Sequence, residues 1–236
     1  MNKRYERLLE EAQELKNHAE RFCFATAHPE WQMKAGEGLV AHLDKMQVAL
    51  EEAVRDPGEP DGTADFIYCF SLVVKGVLSE IAMWIAIREG NNKDAWNHLI
   101  DAQSAVRVVL DHCPMITKAE NRLRMLEDIE RVVFPPQVFQ SPGLLCKRKC
   151  SICEADPIDC DHIRGRLYRG KRCVHIFIEC KPYEFSIVDV PEDKRRRIYR
   201  YVNDEGIWID KLTNGPVDGH EELKPGKPGT MSGRVV

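Results

Sequence analysis

The 236-residue sequence has no apolar run at its start. Lys3, Arg4 and Arg7 are followed by Leu8-Leu9 and at once by Glu10-Glu11, where an export signal needs about 7 to 15 apolar residues. Export is not expected, so a cytoplasmic setting is, and a disulfide framework loses its usual compartment. No internal repeat supports a solenoid. No Glu-x-x-His pair supplies the ligands of an ion-binding helical bundle, and no Gly-x-Ser-Ile-Gly-like segment offers a serine nucleophile. Disorder is excluded by composition, with 43% hydrophobic and 31% charged residues.

What is present is divided unevenly. Residues 1–140 hold 16 Lys+Arg against 23 Asp+Glu, a net −7, and residues 141–236 hold 18 against 15, a net +3. Cysteine divides likewise: Cys23, Cys69 and Cys113 are scattered, whereas Cys146, Cys150, Cys153, Cys160, Cys173 and Cys180 fall within 35 residues. Both signals place a boundary near Pro135-Pro136.

The acidic half reads as helices. Leu8, Ala12, Leu15, Ala19, Phe22 and Thr26 recur at intervals of 4 and 3, one stripe on a helix of about 24 residues. His28-Pro29 breaks it. Leu39, Leu43, Met46, Leu50 and Ala53 repeat the stripe until Asp56-Pro-Gly-Glu-Pro-Asp-Gly62 ends it. The third segment, Phe66 to Ile87, is apolar enough to weigh as a membrane span. Its apolar residues contribute about −6 kcal/mol, which Lys75 and Glu80 near its centre cancel at roughly +3 each, so it is expected to be the central bundle helix. Glu89-Gly-Asn-Asn92 predicts a turn with Asn92 as N-cap, then a helix over Lys93–His112 stopped by Pro114. Thr117 and Glu120 have capping-box spacing for a fifth helix ending at Pro135. Glu14 with His18, His98 with Asp101, and Trp84 with Trp96 read as solvated pairs and core rather than ligands.

One pattern in this half bears on chemistry. Arg107-Val-Val-Leu-Asp-His112 resembles the Arg-x4-His motif of HEPN-type helical ribonucleases. That resemblance implies a cation stabilising a scissile phosphate and an imidazole moving the proton. The alternative places Arg107 on the surface and His112 against the helix C-terminal dipole.

The second half carries the stronger signal. Cys150-Ser-Ile-Cys153, followed after six residues by Cys160-Asp-His162, is a Cys-x2-Cys-x6-Cys-x-His set, four donors of the kind that close a tetrahedral zinc site. A closed site leaves no position for a reacting water, so it reads as structural. Cys146, Cys173, His175 and Cys180 stand as reserve ligands. The same residues, with Ile163-Arg-Gly165, Tyr168-Arg-Gly170, Cys173 and Glu184 to Pro191, resemble a zinc-knuckle segment of tailed-phage and prophage proteins, over about 45 of 236 residues. Glu154 stands where that segment usually has Gly, making its turn costlier. Beyond it, Cys173–Cys180 and Glu184–Val190 read as strands paired around Lys181-Pro182, and Ile198–Val202 with Ile207–Leu212 as a second hairpin. Lys147-Arg-Lys149, Arg164, Arg166, Arg169, Lys171, Arg172 and Lys194-Arg-Arg-Arg197 form a basic cluster that suits phosphate backbones or a solvated, bundle-docking face.

The sequence therefore predicts an α+β protein with an N-terminal antiparallel helical bundle and a small C-terminal zinc-binding β module. The expected parts are an acidic bundle over 1–134, a zinc-knuckle and hairpin module over 143–212, and a loose Gly/Pro tail over 213–236. The zinc ligands are expected to be Cys150, Cys153, Cys160 and His162. The expected function is a non-enzymatic binding or assembly protein of phage, prophage or bacterial defence context, with a protein partner favoured, nucleic acid reachable through the basic module, no membrane, and room for a homo-oligomer. The rival is a metal-independent ribonuclease acting through Arg107 and His112.

Overall fold

The computed structural model describes residues 2–113, 116, 118–217 and 231–233. It is a mixed helix-and-sheet protein, with helices α1 (Lys3–Ala19), α2 (Pro29–Arg55), α3 (Asp61–Arg88), α4 (Asn92–His112) and α5 (Ala119–Val133). The strands are β1 (Val138–Cys150), β2 (Leu167–Tyr168), β3 (Lys171–Arg172), β4 (His175–Val188), β5 (Arg197–Val202), β6 (Trp208–Asp210) and β7 (Met231–Gly233). These form two compact units, one of residues 1–127 with 147–178 and the other of 128–146 with 179–236. The grouping differs from the expected cut near residue 134, because the knuckle segment packs with the helices while the later strands gather with the start of β1.

In the helical unit α3 lies against α1, α2 and α4. Ile67, Val74, Val77 and Ile81 of α3 are buried with Leu9, Leu39 and Met46 of α1 and α2. Within α3, Gly62–Arg88 is long and apolar enough to cross a membrane. In this fold 44% of that apolar stretch is buried, α3 packs against α1, α2 and α4, and Lys75 is exposed.

The first helix stops earlier than its stripe predicts. It ends at Ala19 and tightens into a 3-10 turn, Glu20–Phe22. Side chains from other helices take over the freed carbonyls: buried Gln32 donates Nε2 to Phe22 O (2.9 Å) and Phe24 O (3.1 Å), and Arg88 donates to Ala25 O (3.1 Å) and Ala27 O (2.8 Å). Tertiary donors thus compete with the next helical turn. The turn after α3 closes on Gly90 (φ 72°), with Gly90 N–H bonded to Ile87 O and Asn91 N–H to Ala86 O, the Schellman arrangement. The N-cap of α4 is Asn91, one residue before the expected Asn92; its side chain accepts from Asp94 N. Thr117 and Pro114 lie outside the described residues.

The second unit centres on a sheet of order β4-β1-β5-β6, with β7 also paired to β5. The β5–β6 hairpin is antiparallel with Val202 opposite Trp208, as expected, and its turn is held by Asn203 Oδ1, which accepts from Ile207 N at 2.8 Å. The other expected hairpin is not formed. Most of both segments lies in the single strand β4, which runs through Lys181-Pro182 beside β1. Proline is tolerated there because β4 is an edge strand, where one side of the backbone needs no N–H donor. The expected loose tail falls mostly on residues 218–230 and 234–236, outside those described, and Met231–Gly233 pairs with β5. Disulfides join Cys69 to Cys113 and Cys146 to Cys180. The cysteines therefore serve bridges as well as a metal-type cluster.

At the heart of the helical unit Glu80 is fully buried and ion-paired with Arg122. Arg122 also approaches Glu20 at 3.6 Å and Cys23 Sγ at 3.7 Å. Burial pushes the Glu80 carboxyl up to about 7, with Arg122 opposing the shift. Since an unfolded Glu titrates near about 4.3, the folded chain holds the extra proton between these values, and Glu80 adds stability that is lost as pH rises through about 7. Denaturant titrations at about pH 5 and pH 7.5 should therefore show Glu80→Gln gaining stability relative to wild type as pH rises. A pH-independent difference would mean that Glu80 titrates as an ordinary carboxyl.

Candidate metal centre

The site begins where β1 ends. Cys150 is buried at the last residue of the strand, and the chain turns there through Glu154 N–H to Cys150 O (2.9 Å) and Cys150 N–H to Ala155 O (2.9 Å). Glu154 closes the turn at φ 60°, the left-handed conformation that the missing glycine would adopt freely. Ile152 N–H donates to Cys150 Sγ at 3.4 Å, and His162 N–H donates to Cys160 Sγ at 3.2 Å. Two backbone turns thus aim amides at two sulfurs.

The sulfurs and the imidazole converge. Cys153 Sγ lies 3.5 Å from Cys160 Sγ, and Cys160 Sγ lies 3.3 Å from His162 Nδ1. The donor atoms of Cys150, Cys153, Cys160 and His162 all fall within 4.8 Å of one another. Tetrahedral zinc with Zn–S bonds of about 2.3 Å needs sulfur–sulfur edges of about 3.8 Å, so this group could hold a metal ion. The four residues expected from spacing are the ones brought together.

The surroundings orient them. The His162 ring stands edge-on to Tyr168, with centroids 4.7 Å apart, and Tyr168 Oη accepts from Ile163 N at 2.8 Å. Asp156 Oδ1 accepts from Ile158 N (2.9 Å) and shapes the six-residue spacer. At the β2–β3 turn Gly170 (φ 72°) donates its N–H to Asp65 Oδ1 (2.6 Å) and lies so close to the helices that a Cβ would meet Leu50 Cδ1 at 2.5 Å. Arg169 donates to Asp56 O at 3.0 Å. This segment is therefore docked on α2 and α3 of its own unit.

Burial opposes ionisation of Cys150, yet the amides of Cys153 and Ile152 and the neighbouring thiols outweigh it and lower that thiol to about 6. Burial, together with the sulfurs of Cys153 and Cys150, raises Cys160 to about 11. One thiolate is favoured and its neighbours resist a second negative charge, a repulsion that a divalent cation relieves.

Among the reserve ligands, Cys146 and Cys180 are bonded to each other, His175 lies outside the group, and Cys173 Sγ lies 3.7 Å from Cys150 Sγ. Arg107 and His112, the pair behind the rival ribonuclease reading, each have a neighbour of their own. Arg107 pairs with Glu127 at 3.0 Å, and the His112 ring lies beside Gly165, where an added Cβ would stand 3.6 Å from it. The Glu80–Arg122 pair escaped the sequence reading except as a charge interrupting an apolar helix. Comparison of the chain with protein-family models, curated proteins and solved structures finds no match.

The strained turn yields a test. Because a non-glycine residue in the left-handed region costs about 1 kcal/mol, Glu154→Gly should stabilise the protein by about 0.5–1 kcal/mol in metal-free unfolding titrations. Unchanged or lower stability would show that the Glu154 side chain contributes more than its backbone conformation costs.

Proposed function

We propose that this is a non-enzymatic, zinc-stabilised binding or assembly protein, with one structural zinc bound by the thiolates of Cys150, Cys153 and Cys160 and by a fourth donor, the role that spacing assigns to His162. The single observation that carries this reading is the convergence of those donor atoms within 4.8 Å. Four protein donors fill a tetrahedral ion and leave no position for a water nucleophile. A phage, prophage or bacterial defence setting is the context that the knuckle resemblance suggests.

A protein partner suits the surface better than nucleic acid does. Tyr183, Phe185 and Ile187 alternate along β4 and are each more than half exposed, the kind of apolar row that marks interaction surfaces. Several cations of the proposed phosphate-binding cluster are occupied. Lys194 Nζ pairs with both Glu130 oxygens (2.8 and 2.7 Å), Arg195 with Asp193 (2.9 Å), and Arg197 is buried with Nη1 3.3 Å from Gln137 Oε1. The net −7 of residues 1–140 also repels a polyanion.

Purified chain should carry about one zinc, and Cys153→Ser or Cys160→Ser should release it and disorder the knuckle while preserving far-ultraviolet helical signal. Full zinc retention by both variants defeats the assignment. The ribonuclease reading predicts metal-independent RNA cleavage abolished by His112→Ala. The expected result is no cleavage by wild type, because Arg107 is held by Glu127 and a phosphate would need both groups within hydrogen-bond reach.

A further inference from the structure

We propose that Cys173 is a ligand of the metal centre and takes the fourth tetrahedral position, with His162 packed beside the site as a bracing neighbour. This rests on the zinc reading above and identifies the donor that completes it.

Five donors compete for four positions. Two sulfur pairs have the separation that a tetrahedral thiolate site requires: Cys150 with Cys173 at 3.7 Å and Cys153 with Cys160 at 3.5 Å. The pairs share no residue, as is required of two opposite edges of a four-sulfur tetrahedron whose edges are about 3.8 Å. Cys173 stands outside the tight 4.8 Å group, and ligation requires the two edges to close on the ion.

The chain invests many hydrogen bonds in keeping Cys173 there. Ser151, inside the first knuckle, donates its N–H to Val174 O (3.0 Å) and its hydroxyl to Arg172 O (3.4 Å), while its Oγ accepts from Val174 N (2.9 Å). Cys173 N–H bonds to Arg166 O and Gly165 N–H to Cys173 O, both at 2.8 Å. The peptides on either side of Cys173 are therefore laced to the knuckle and to the loop after His162. Cys173 is 0% exposed and Cys150 1% exposed, so two thiols face each other away from water. Soft donors in a dry pocket suit a structural ion.

His162 is differently placed. It is half-buried, its ring stands edge-on to Tyr168 with Nδ1 3.3 Å from Cys160 Sγ, and its amide already serves the site by donating to Cys160 Sγ. Charge agrees: four thiolates around Zn²⁺ leave −2, and residues 147–178 carry eight Lys+Arg against four Asp+Glu. A dianionic centre is offset by the net positive charge of that segment.

The test is X-ray absorption at the zinc edge of the full chain, with visible spectra of the cobalt-substituted protein. Wild type should show four sulfurs at about 2.3 Å. His162→Ala should keep one metal per chain and the same spectrum, whereas Cys173→Ser should lose a sulfur and weaken binding by about tenfold or more. Three sulfurs and one nitrogen in wild type, with the nitrogen lost in His162→Ala and Cys173→Ser unchanged, would overturn the proposal while leaving the zinc reading intact. Wild type without stoichiometric metal, or a Cys150–Cys173 disulfide found by mass spectrometry in place of metal, would overturn both. The wild-type sulfur count decides the matter even where a variant fails to fold.

Discussion

The convergence of sulfurs at the end of β1 is the constraint on which the order of the knuckle segment depends. Residues 151–166 form neither helix nor strand, and their large apolar side chains are poorly buried, with Ile158 86% and Ile163 54% exposed. Burial at about 25 cal/mol per Å² cannot repay the entropy of fixing such a loop. Amides aimed at Cys150 and Cys160, together with the turns at Glu154 and Asp156, shape it instead. Donors at tetrahedral spacing are positioned to receive a cation that would hold the loop closed.

The helical unit has the opposite economy. Its core is built from regular stripes on α1 and α2 against a nearly all-round apolar α3, and the entropy of ordering is met by side-chain packing. Glu80, the one fully buried carboxylate among the described residues, is accommodated because α5 brings Arg122 to it. A buried ion pair adds little net stability, yet removing one partner strands a charge. Glu80 and Arg122 thus tie α5 to α3 in one arrangement, and α5 carries the chain onward to the second unit.

The docking of the β2–β3 turn connects these two regimes. Gly170 approaches Ala64 and Leu50 too closely for any side chain, and its amide is bonded to Asp65. The knuckle is therefore part of the helical unit rather than an independent finger. Some of its cations are engaged by helix residues, as when Arg169 donates to Asp56 O.

Local pattern alone determined the five helices, the β5–β6 hairpin and the set Cys150, Cys153, Cys160 and His162, because helical stripes, turn residues and ligand spacings are properties of neighbouring residues. The end of α1 was decided by Gln32 and Arg88, which reach the carbonyls of Phe22, Phe24, Ala25 and Ala27 just beyond it from other helices. The continuity of β4 through Pro182 was decided by its edge position, which follows from strand order rather than from residue type. The pairing of Cys146 with Cys180, and the approach of Cys173 to Cys150, came from strands and turns that bring residues 34 and 23 positions apart together. Spacing can name donors, but which of them meet depends on backbone hydrogen bonds made far along the chain, and only the folded structure contains those.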